Sequence, residues 1–402
     1  MAESTSSTIP RRPKTKSKEP FYAVSPRWKD VVPIPLIDGP PRPPPGSGQR
    51  DDDPGPALAT IAYSVRYSEA MSYLRAVMAM NELSRRALDL TEDIIGMNPA
   101  HYTVWLYRAK ILKALWKKEG VSVEDGVGAE LDWLEGVSER NLKNYQIWHH
   151  RQQLMSLLPR LPATEADFIT HMLSFDAKNY HVWTYRQWLC RRFADPLLTT
   201  DQELRAVDAL IRDDVRNNSA WNHRYFVCFG AEELAAMEPK AATTVGGGRG
   251  QEEEKEEEAG QGHHHGGGRR PNVIRKDVLA GGTLLPVVDE DVVEREINYA
   301  KDHIAWAPQN PSPWNYLRGV LRRAGIPVTD LQVFCEGFVG GGKDADLMGD
   351  GVTSSHAIDW LADIYRLDGK VERSRACLEA LAAKWDPIRR KYWDWRAKQL
   401  VG

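Results

Sequence analysis

Apolar residues recur at helical spacing along most of the chain, from about residue 67 to residue 229. In the first stretch, steps of three and four residues separate Ala70, Leu74, Val77 and Met78. This spacing is typical of an amphipathic helix. A second helix is predicted over Ser84–Met97, and strand signals are scarce. The pattern therefore predicts an all-α protein.

A tryptophan followed three residues later by an arginine recurs along the helical region at unequal steps of 43, 35 and 38 residues. The copies are Trp105/Arg108, Trp148/Arg151, Trp183/Arg186 and Trp221/Arg224, with a looser one at Trp314/Arg318 and a last one at Trp393/Arg396. An asparagine precedes most of them, at Asn98, Asn144, Asn179, Asn217 and Asn310. Repeats of this length, each with room for two helices, predict stacked helical hairpins in a curved array.

These recurring residues have a structural interpretation. An asparagine before a helix can cap its first turn. A tryptophan four residues after that asparagine can bury its ring between hairpins, and the arginine one turn further can stack on that ring or bond neighbouring backbone carbonyls. Between the copies, Thr200 and Glu203 form a capping-box pattern that predicts the start of another helix. The tryptophans and arginines are therefore predicted to be structural.

Composition divides the chain further. Residues 1–56 hold 13 of the 25 prolines and are predicted to be mostly disordered, although Phe21–Leu36 has enough apolar residues to dock on the repeat domain. That domain is predicted to occupy residues 57–402. A low-complexity insert of glycine, glutamate and histidine interrupts it at about 232–287, and a glycine-rich loop at about 337–351.

Net charge, cysteine positions and hydrophobic runs reduce the number of functions that the chain can have. A net charge of −3 gives no reason to expect nucleic acid or an anionic membrane as partner. The four cysteines lie far apart, which predicts neither a zinc site nor a disulfide framework. Neither a bilayer-spanning run nor a secretory signal is present in this sequence, so a cytoplasmic location is expected.

Candidate chemistry is confined to the predicted helix starts. The sequence has no Gly-x-Ser-x-Gly, His-Glu-x-x-His or DDxxD motif. Instead, the starts of two repeat helices carry polar groups at Lys143, Tyr145, Gln146, Tyr180 and His181. Because helix N-termini carry partial positive charge, a row of such starts suits an anion such as a diphosphate. The residues alone leave open that these are ordinary exposed capping positions.

Five segments closely resemble the repeats of the protein prenyltransferase alpha-subunit family: NPAHYTVWLYR, KNYQIWHHR, AKNYHVWTYRQWL, DVRNNSAWNHRYFV and NPSPWNYLRGVL. Three further stretches, RYSEAMSYLRAV, WKDVVPIPLIDGP and RKYWDWRAKQL, look like parts of the alpha subunit shared by farnesyltransferase and type I geranylgeranyltransferase. The resemblance implies a crescent-shaped right-handed superhelix of helical hairpins, wrapped around a beta subunit.

The same resemblance implies a function. Such a heterodimer transfers a farnesyl or geranylgeranyl group from its diphosphate to a cysteine near the C-terminus of CaaX proteins such as small GTPases. The beta subunit holds the zinc, magnesium can accompany the diphosphate, and the alpha chain alone is inactive. Two alternatives are a Rab geranylgeranyltransferase alpha subunit and a non-catalytic tetratricopeptide-like scaffold. A tetratricopeptide repeat is more uniform, near 34 residues, and lacks Trp-x-x-Arg.

Residue roles follow from the resemblance position by position. Lys143 matches the lysine that contacts the isoprenoid diphosphate and stabilises charge on the leaving group, and Gln146 matches the glutamine that binds the CaaX carboxylate. Tyr145, Tyr180 and His181 match groups that line the subunit junction near diphosphate and lipid, with Tyr102 expected in the same wall. Lys143 and His181 are the expected catalytic residues. His101 stands where an asparagine is expected, so the cap of the first repeat is predicted to differ.

Overall fold

The computed structural model describes residues 21–35, 61–193, 200–230, 289–341 and 346–400, and their regular structure is helical. In chain order the α-helices are α1 Val65–Ala79, α2 Arg85–Met97, α3 Tyr102–Glu119, α4 Val123–Arg140, α5 Tyr145–Met155, α6 Glu165–Phe175, α7 Tyr180–Arg192, α8 Thr200–Asp213, α9 Asn218–Tyr225, α10 Glu290–Trp306, α11 Pro311–Ala324, α12 Gln332–Glu336, α13 Ser355–Leu367, α14 Val371–Ala380 and α15 Arg390–Lys398. Within these ranges the only β pairing is an isolated bridge between Val339 and Val352. The predicted all-α fold is confirmed.

Two compact units make up the chain, Met1–Met172 and Leu173–Gly402. In the first unit α2 packs on α3 and α4 on α5, and in the second α8 packs on α9 and α10 on α11. Each repeat therefore contributes two packed helices, as the spacing of the tryptophans predicts. Among the helices that the structure describes, none is both long enough and apolar enough to cross a membrane.

The proline-rich N-terminal region includes one described segment, residues 21–35, which docks on α1 and α2. The side chains of Tyr22 and Trp28 are buried. The Glu69 carboxylate of α1 accepts bonds from the backbone N–H groups of Tyr22 and Ala23, at 2.8 and 2.9 Å. The hydroxyl of Tyr22 donates to Asp93 at 2.8 Å. This segment covers apolar surface that the first helices would otherwise expose.

Asparagine caps begin the tryptophan-bearing helices, as predicted. The side-chain oxygen of Asn144 accepts from two backbone N–H groups of α5. Helices α7, α9 and α11 are capped by Asn179, Asn217 and Asn310, respectively, each of which accepts from a backbone N–H of its own helix. The first repeat differs, because His101 occupies the N-cap position of α3 and makes no side-chain cap bond.

The repeat tryptophans are buried between helices, at Trp105, Trp148, Trp183, Trp221, Trp314 and Trp393. Four of their indole N–H groups donate to the backbone carbonyl six residues earlier, at 2.8–2.9 Å: Trp105, Trp183, Trp221 and Trp314. This bond ties the loop before each helix to the ring that the helix buries. The structural interpretation of the tryptophans is confirmed.

The repeat arginines make a contact that the sequence does not predict. Four of them form a buried ion pair with a glutamate of the next described α-helix: Arg108 with Glu130, Arg151 with Glu165, Arg186 with Glu203 and Arg224 with Glu296. Three of the guanidinium groups also stack on a ring of that helix, at Trp133, Phe168 and Tyr299. These three therefore stack on a ring of the neighbouring helix and not on their own tryptophan, and Arg108 also makes the expected bond to a backbone carbonyl, that of Leu88 at 3.4 Å. Arg186 lies 5.9 Å from the Trp183 ring centre.

Three of these glutamates each join three helices, and Glu203 shows how. It lies on α8, accepts both bonds from Arg186 of α7 and accepts a further bond of 2.7 Å from His223 of α9. Burial alone would raise the pKa of Glu203, but the bonds from His223 and Arg186 and their charges outweigh it and hold the pKa at about 2. Glu130 and Glu296 are bridged alike, by His150 and Tyr316.

The predicted capping box at residues 200–203 is wrong in one respect. Helix α8 does include Thr200 in its first turn. Glu203, however, is buried and directs its carboxylate to Arg186 and His223. A capping-box glutamate would instead bond the backbone N–H at the start of its own helix. The ion pair takes precedence because a buried arginine needs a charged partner.

Acidification is expected to destabilise the protein partly through His223. Burial lowers the pKa of His223 below its ordinary 6.5, against the opposite effect of the Glu203 bond; the charge of Arg186 lowers it further. The imidazole of His223 therefore binds a proton more readily in the unfolded chain than in the folded one. The neutral, buried His223 leaves folding stability intact above the ordinary pKa, and stability is lost as pH falls from that value towards the lower pKa of the folded state. In thermal unfolding between pH of about 7.5 and 5.5, His223→Gln should lose less in Tm than the wild type. Equal losses would contradict this.

Two predicted segments lie largely or wholly outside the described residues. The insert at about 232–287 falls outside them, as does most of residues 1–56. The glycine-rich loop at about 337–351 is described except for residues 342–345. Its first part follows α12, and the Val339–Val352 bridge joins its base to the stretch before α13.

Candidate functional site

Three exposed tyrosines mark the starts of tryptophan-bearing helices. Tyr102, Tyr145 and Tyr180 are the first residues of α3, α5 and α7, and they are 63%, 69% and 68% exposed. Tryptophan and tyrosine side chains are on average well buried in proteins. One position in three repeats thus presents a phenol to the surroundings, while the tryptophan three residues later is buried.

The start of α5 carries three of the predicted site residues. Lys143 lies in the turn before the helix and is exposed, and Gln146 is half-buried in its first turn. The side-chain oxygen of Asn144 accepts from the N–H groups of Gln146 and Ile147, at 2.9 and 3.4 Å. This cap fixes the backbone from which Lys143, Tyr145 and Gln146 project.

The start of α7 repeats the Lys-Asn-Tyr triplet with a different environment. The cap oxygen of Asn179 accepts from the N–H of His181 at 3.0 Å. The ammonium of Lys178 pairs with the Asp214 carboxylate at 2.8 Å. The rings of Tyr180 and His181 meet edge to face, 5.8 Å apart. At this start a tyrosine and a histidine are therefore the groups presented together.

The start of α3 lacks the asparagine cap. Asn98 bonds elsewhere: its oxygen accepts from the Ala100 N–H at 3.2 Å, and its amide donates to the Tyr67 hydroxyl at 3.0 Å. The His101 ring stacks on Tyr102, with 6.2 Å between the ring centres. Tyr102 is thus presented beside an imidazole, as Tyr180 is.

Neighbouring tryptophan-bearing helices are in contact within each unit. In the first unit, Trp105 in the first turn of α3 packs on His150 in the middle of α5, at 5.1 Å between ring centres. Tyr102 begins α3, and Tyr145 and Gln146 begin its neighbour α5. In the second unit, Trp183 of α7 packs on His223 in the second half of α9. Tyr180 and His181 belong to this second unit.

These groups suit charge stabilisation and hydrogen bonding. The first N–H groups of a helix carry partial positive charge, and an exposed lysine beside them adds a full one. Phenol and imidazole N–H or O–H groups can donate to the oxygens of an anion. The Gln146 amide can donate to a carboxylate. The helix starts described here can therefore bind a multiply charged anion through side chains.

Two groups of described residues could offer three ligand atoms to a metal, namely Cys190/Glu203/His223 and Glu135/Glu139/His171. In the first, both carboxylate oxygens already accept bonds from Arg186. Burial also raises the pKa of the Cys190 thiol to about 12, which disfavours the thiolate that metals bind. The second group is largely exposed. Neither group includes a predicted site residue.

Sequence reasoning missed the glutamates that hold the repeats together. They follow their arginines by 22, 14, 17 and 72 residues, at Glu130, Glu165, Glu203 and Glu296. Because this spacing varies with the loop lengths, no fixed motif reveals it. The available signal was a glutamate at an otherwise apolar position of each intervening helix.

Comparison with known proteins agrees with the repeat boundaries. A model of the protein prenyltransferase alpha subunit repeat matches residues 84–115, 127–158, 162–193, 200–230 and 293–324. These are the helix pairs α2–α3, α4–α5, α6–α7, α8–α9 and α10–α11. The match thus coincides with the five strongest copies of the tryptophan repeat.

Similarity extends along nearly the whole chain. The farnesyltransferase/geranylgeranyltransferase type-1 subunit alpha of Candida albicans is 34% identical, with 86% of this chain and 93% of that protein covered. Its counterpart from Solanum lycopersicum is 32% identical over 96% of this chain and 92% of that protein. Among solved structures, Candida albicans protein geranylgeranyltransferase-I complexed with GGPP matches with a TM-score of 0.67, 32% identity and coverage of 93% and 98%.

A second class of relatives matches only in part. The geranylgeranyl transferase type-2 subunit alpha of Bos taurus is 36% identical over 147 residues. That stretch covers 36% of this chain and 25% of the bovine protein. The Candida albicans and Solanum lycopersicum type-1 subunits are thus similar over most of the chain, and the Bos taurus type-2 subunit over a part.

Proposed function

The chain belongs to the protein prenyltransferase alpha-subunit family, and we propose that it is the alpha subunit of a heterodimeric CaaX prenyltransferase. The complex would transfer a farnesyl or geranylgeranyl group from its diphosphate to a cysteine near the C-terminus of target proteins, such as small GTPases. The observation that carries this proposal is the end-to-end similarity to type-1 alpha subunits, including that of a complex solved with GGPP.

Lys143 would stabilise the leaving group. In the transfer, the cysteine sulfur forms a bond to C1 of the isoprenoid while the C1–O bond breaks and diphosphate leaves with the electron pair. Negative charge therefore develops on the diphosphate in the transition state. A cation fixed at a capped helix start lowers this barrier, because it needs no reorientation as the charge appears. The exposed position of Lys143 before α5 fits this role.

The other predicted residues would bind and orient substrate. The Gln146 amide would donate to the terminal carboxylate of the CaaX segment. The Tyr180 hydroxyl and the His181 imidazole, presented together at the start of α7, would donate to diphosphate oxygens. Tyr145 and Tyr102 offer aromatic faces against which an isoprenoid chain can pack.

The zinc is proposed to lie on the beta subunit, where it would lower the pKa of the acceptor cysteine. The six predicted site residues are consistent with a zinc held by another chain. His181 alone among them is a common zinc ligand, and a catalytic zinc usually has three protein ligands. Magnesium accompanying the diphosphate would be held by its oxygens. The alpha chain by itself is therefore proposed to be inactive. The heterodimer is proposed to act in the cytoplasm.

The domain organisation remains part of the proposal. We propose that residues 57–402 form the catalytic partner domain, that most of residues 1–56 is a tail, and that about 232–287 is an insertion outside the repeat joints. The repeat matches stop at residue 230 and resume at residue 293, which fits an insertion there.

The two alternatives are not favoured. A Rab-type alpha subunit should resemble the type-2 relatives along its length, but only 36% of this chain does. A tetratricopeptide-like scaffold would not share end-to-end similarity with prenyltransferase alpha subunits.

Co-purification tests the proposal. The tagged chain should capture a beta subunit in a one-to-one complex from extracts of its own cells, identified by mass spectrometry. The captured complex should bind a fluorescent isoprenoid diphosphate analogue. Capture of a Rab escort protein with a type-2 beta subunit would support the alternative. A chain that remains monomeric when co-expressed with type-1 beta subunits would contradict the proposal.

A further inference from the structure

One backbone carbonyl anchors the loop that leads into Tyr180 and His181. The oxygen of Ala177 accepts the Trp183 indole N–H at 2.9 Å and the Asn217 side-chain amide at 3.0 Å. The loop, residues 176–179, runs directly into the first turn of α7. Its position is therefore set from two sides, by a ring of its own helix and by an amide of the next repeat.

Asn217 is well placed to hold this loop. Its side chain is fully buried. The oxygen accepts from the Ala220 N–H at 3.2 Å and so caps α9, while the nitrogen donates to Ala177. Both ends of the amide are in use, so its orientation is fixed. A rigid helix start in one repeat thus holds the loop of the preceding repeat.

We propose that Asn217 is a positioning residue for prenyl transfer, which acts by holding the loop that presents Tyr180 and His181. The inference rests on the proposed function, since it assigns Asn217 a role only through those two residues. Asn217 itself lies inside the repeat joint and touches neither residue in the described contacts. Displacing donor groups by about 1 Å can cost about a hundredfold in rate.

The same joint recurs in the following repeats and supplies matched variants. Asn310 donates to the Val215 carbonyl at 2.7 Å and caps α11, and it is equally buried. Ser354 donates to the Pro308 carbonyl at 2.6 Å and caps α13. A serine therefore performs both functions natively at this position. Asn217→Ser is the conservative replacement. Ser354→Ala is the control for disrupting an equivalent joint, because Ser354 holds a loop that does not contain Asn217.

The decisive variant is Asn217→Asp. An aspartate keeps the oxygen that caps α9 and replaces the donor to Ala177 with a second oxygen, which repels the carbonyl. In the purified heterodimer, single-turnover transfer of geranylgeranyl or farnesyl from its diphosphate to a fluorescent CaaX peptide should slow about tenfold or more. Ser354→Ala should also lower Tm, with little change in that rate. Asn217→Ser should retain most of the activity.

A triple variant separates positioning from general damage. If Asn217 acts through the α7 start, Asn217→Asp should slow transfer much less when His181→Ala and Tyr180→Phe are already present. Additive losses, or equal rates for Asn217→Asp and Ser354→Ala in an active complex, would overturn the role of Asn217 and leave the proposed function standing. A wild-type heterodimer without transfer activity would overturn the proposed function itself.

Discussion

Replacing Glu203 with glutamine is expected to lower the free energy of unfolding by about 3–5 kcal/mol. Glu203 and Arg186 are both nearly inaccessible, with side chains 3% and 7% exposed. The substitution preserves shape but leaves the Arg186 cation buried without a charged partner. A charge stranded in this way costs far more than the pair itself contributes, because no water can reach it.

An exposed glutamate provides the control for this variant. Glu139 also bonds a histidine, His171, at 2.9 Å, but both side chains are more than two-fifths exposed. Glu139→Gln should therefore change the unfolding free energy by less than about 1 kcal/mol. Thermal and urea unfolding of the two variants against the wild type make the comparison. Equal, small losses would show that the buried pair does not hold adjacent repeats together.

Replacing Lys143 with alanine is expected to slow the chemical step by about a hundredfold while isoprenoid binding changes much less. The ammonium acts most strongly on charge that appears as the C1–O bond breaks, so its removal raises the barrier more than it weakens the ground state. Single-turnover transfer and equilibrium binding of the isoprenoid diphosphate, both on the heterodimer, separate the two effects.

Lys178 gives a matched comparison for Lys143. It occupies the same place in the same Lys-Asn-Tyr triplet one repeat later, and its ammonium is paired with Asp214. Lys178→Ala should therefore slow transfer much less than Lys143→Ala. An unchanged single-turnover rate in Lys143→Ala, or a loss no larger than that of Lys178→Ala, would remove Lys143 from the mechanism.

Local chemistry made much of the fold predictable. The caps at Asn144, Asn179, Asn217 and Asn310 and the burial of the repeat tryptophans depend on residues a few positions apart. Such short-range relations appear directly in the sequence. The first-repeat exception at His101 was predictable for the same reason, since a missing asparagine is visible in the letters.

The contacts between repeats were not predictable in this way. Glu203 fits a capping box by sequence, yet its partners are Arg186 and His223 on two other helices. Whether a glutamate caps its own helix or neutralises a buried arginine depends on packing between helices. The bond from Asn217 to the Ala177 carbonyl, 40 residues away, was hidden for the same reason.

The candidate site was predictable only in part. Exposed polar residues at helix starts are visible in the sequence, but the same residues would serve as plain caps. The identical Lys-Asn-Tyr triplets that begin at Lys143 and Lys178 show that local sequence alone does not assign roles. The resemblance to a family supplied the roles of Lys143, Gln146 and His181, and these roles stay predictions until the variants are measured.

The most direct test of the account is prenyl transfer by the chain with and without a beta subunit. The purified alpha chain, the beta subunit and the co-expressed complex are each given zinc, magnesium, a fluorescent CaaX peptide and farnesyl or geranylgeranyl diphosphate. We expect a thioether-linked product from the complex and none from either chain alone. Robust transfer by the alpha chain alone, or an inactive complex with every type-1 beta subunit that binds it, would contradict it.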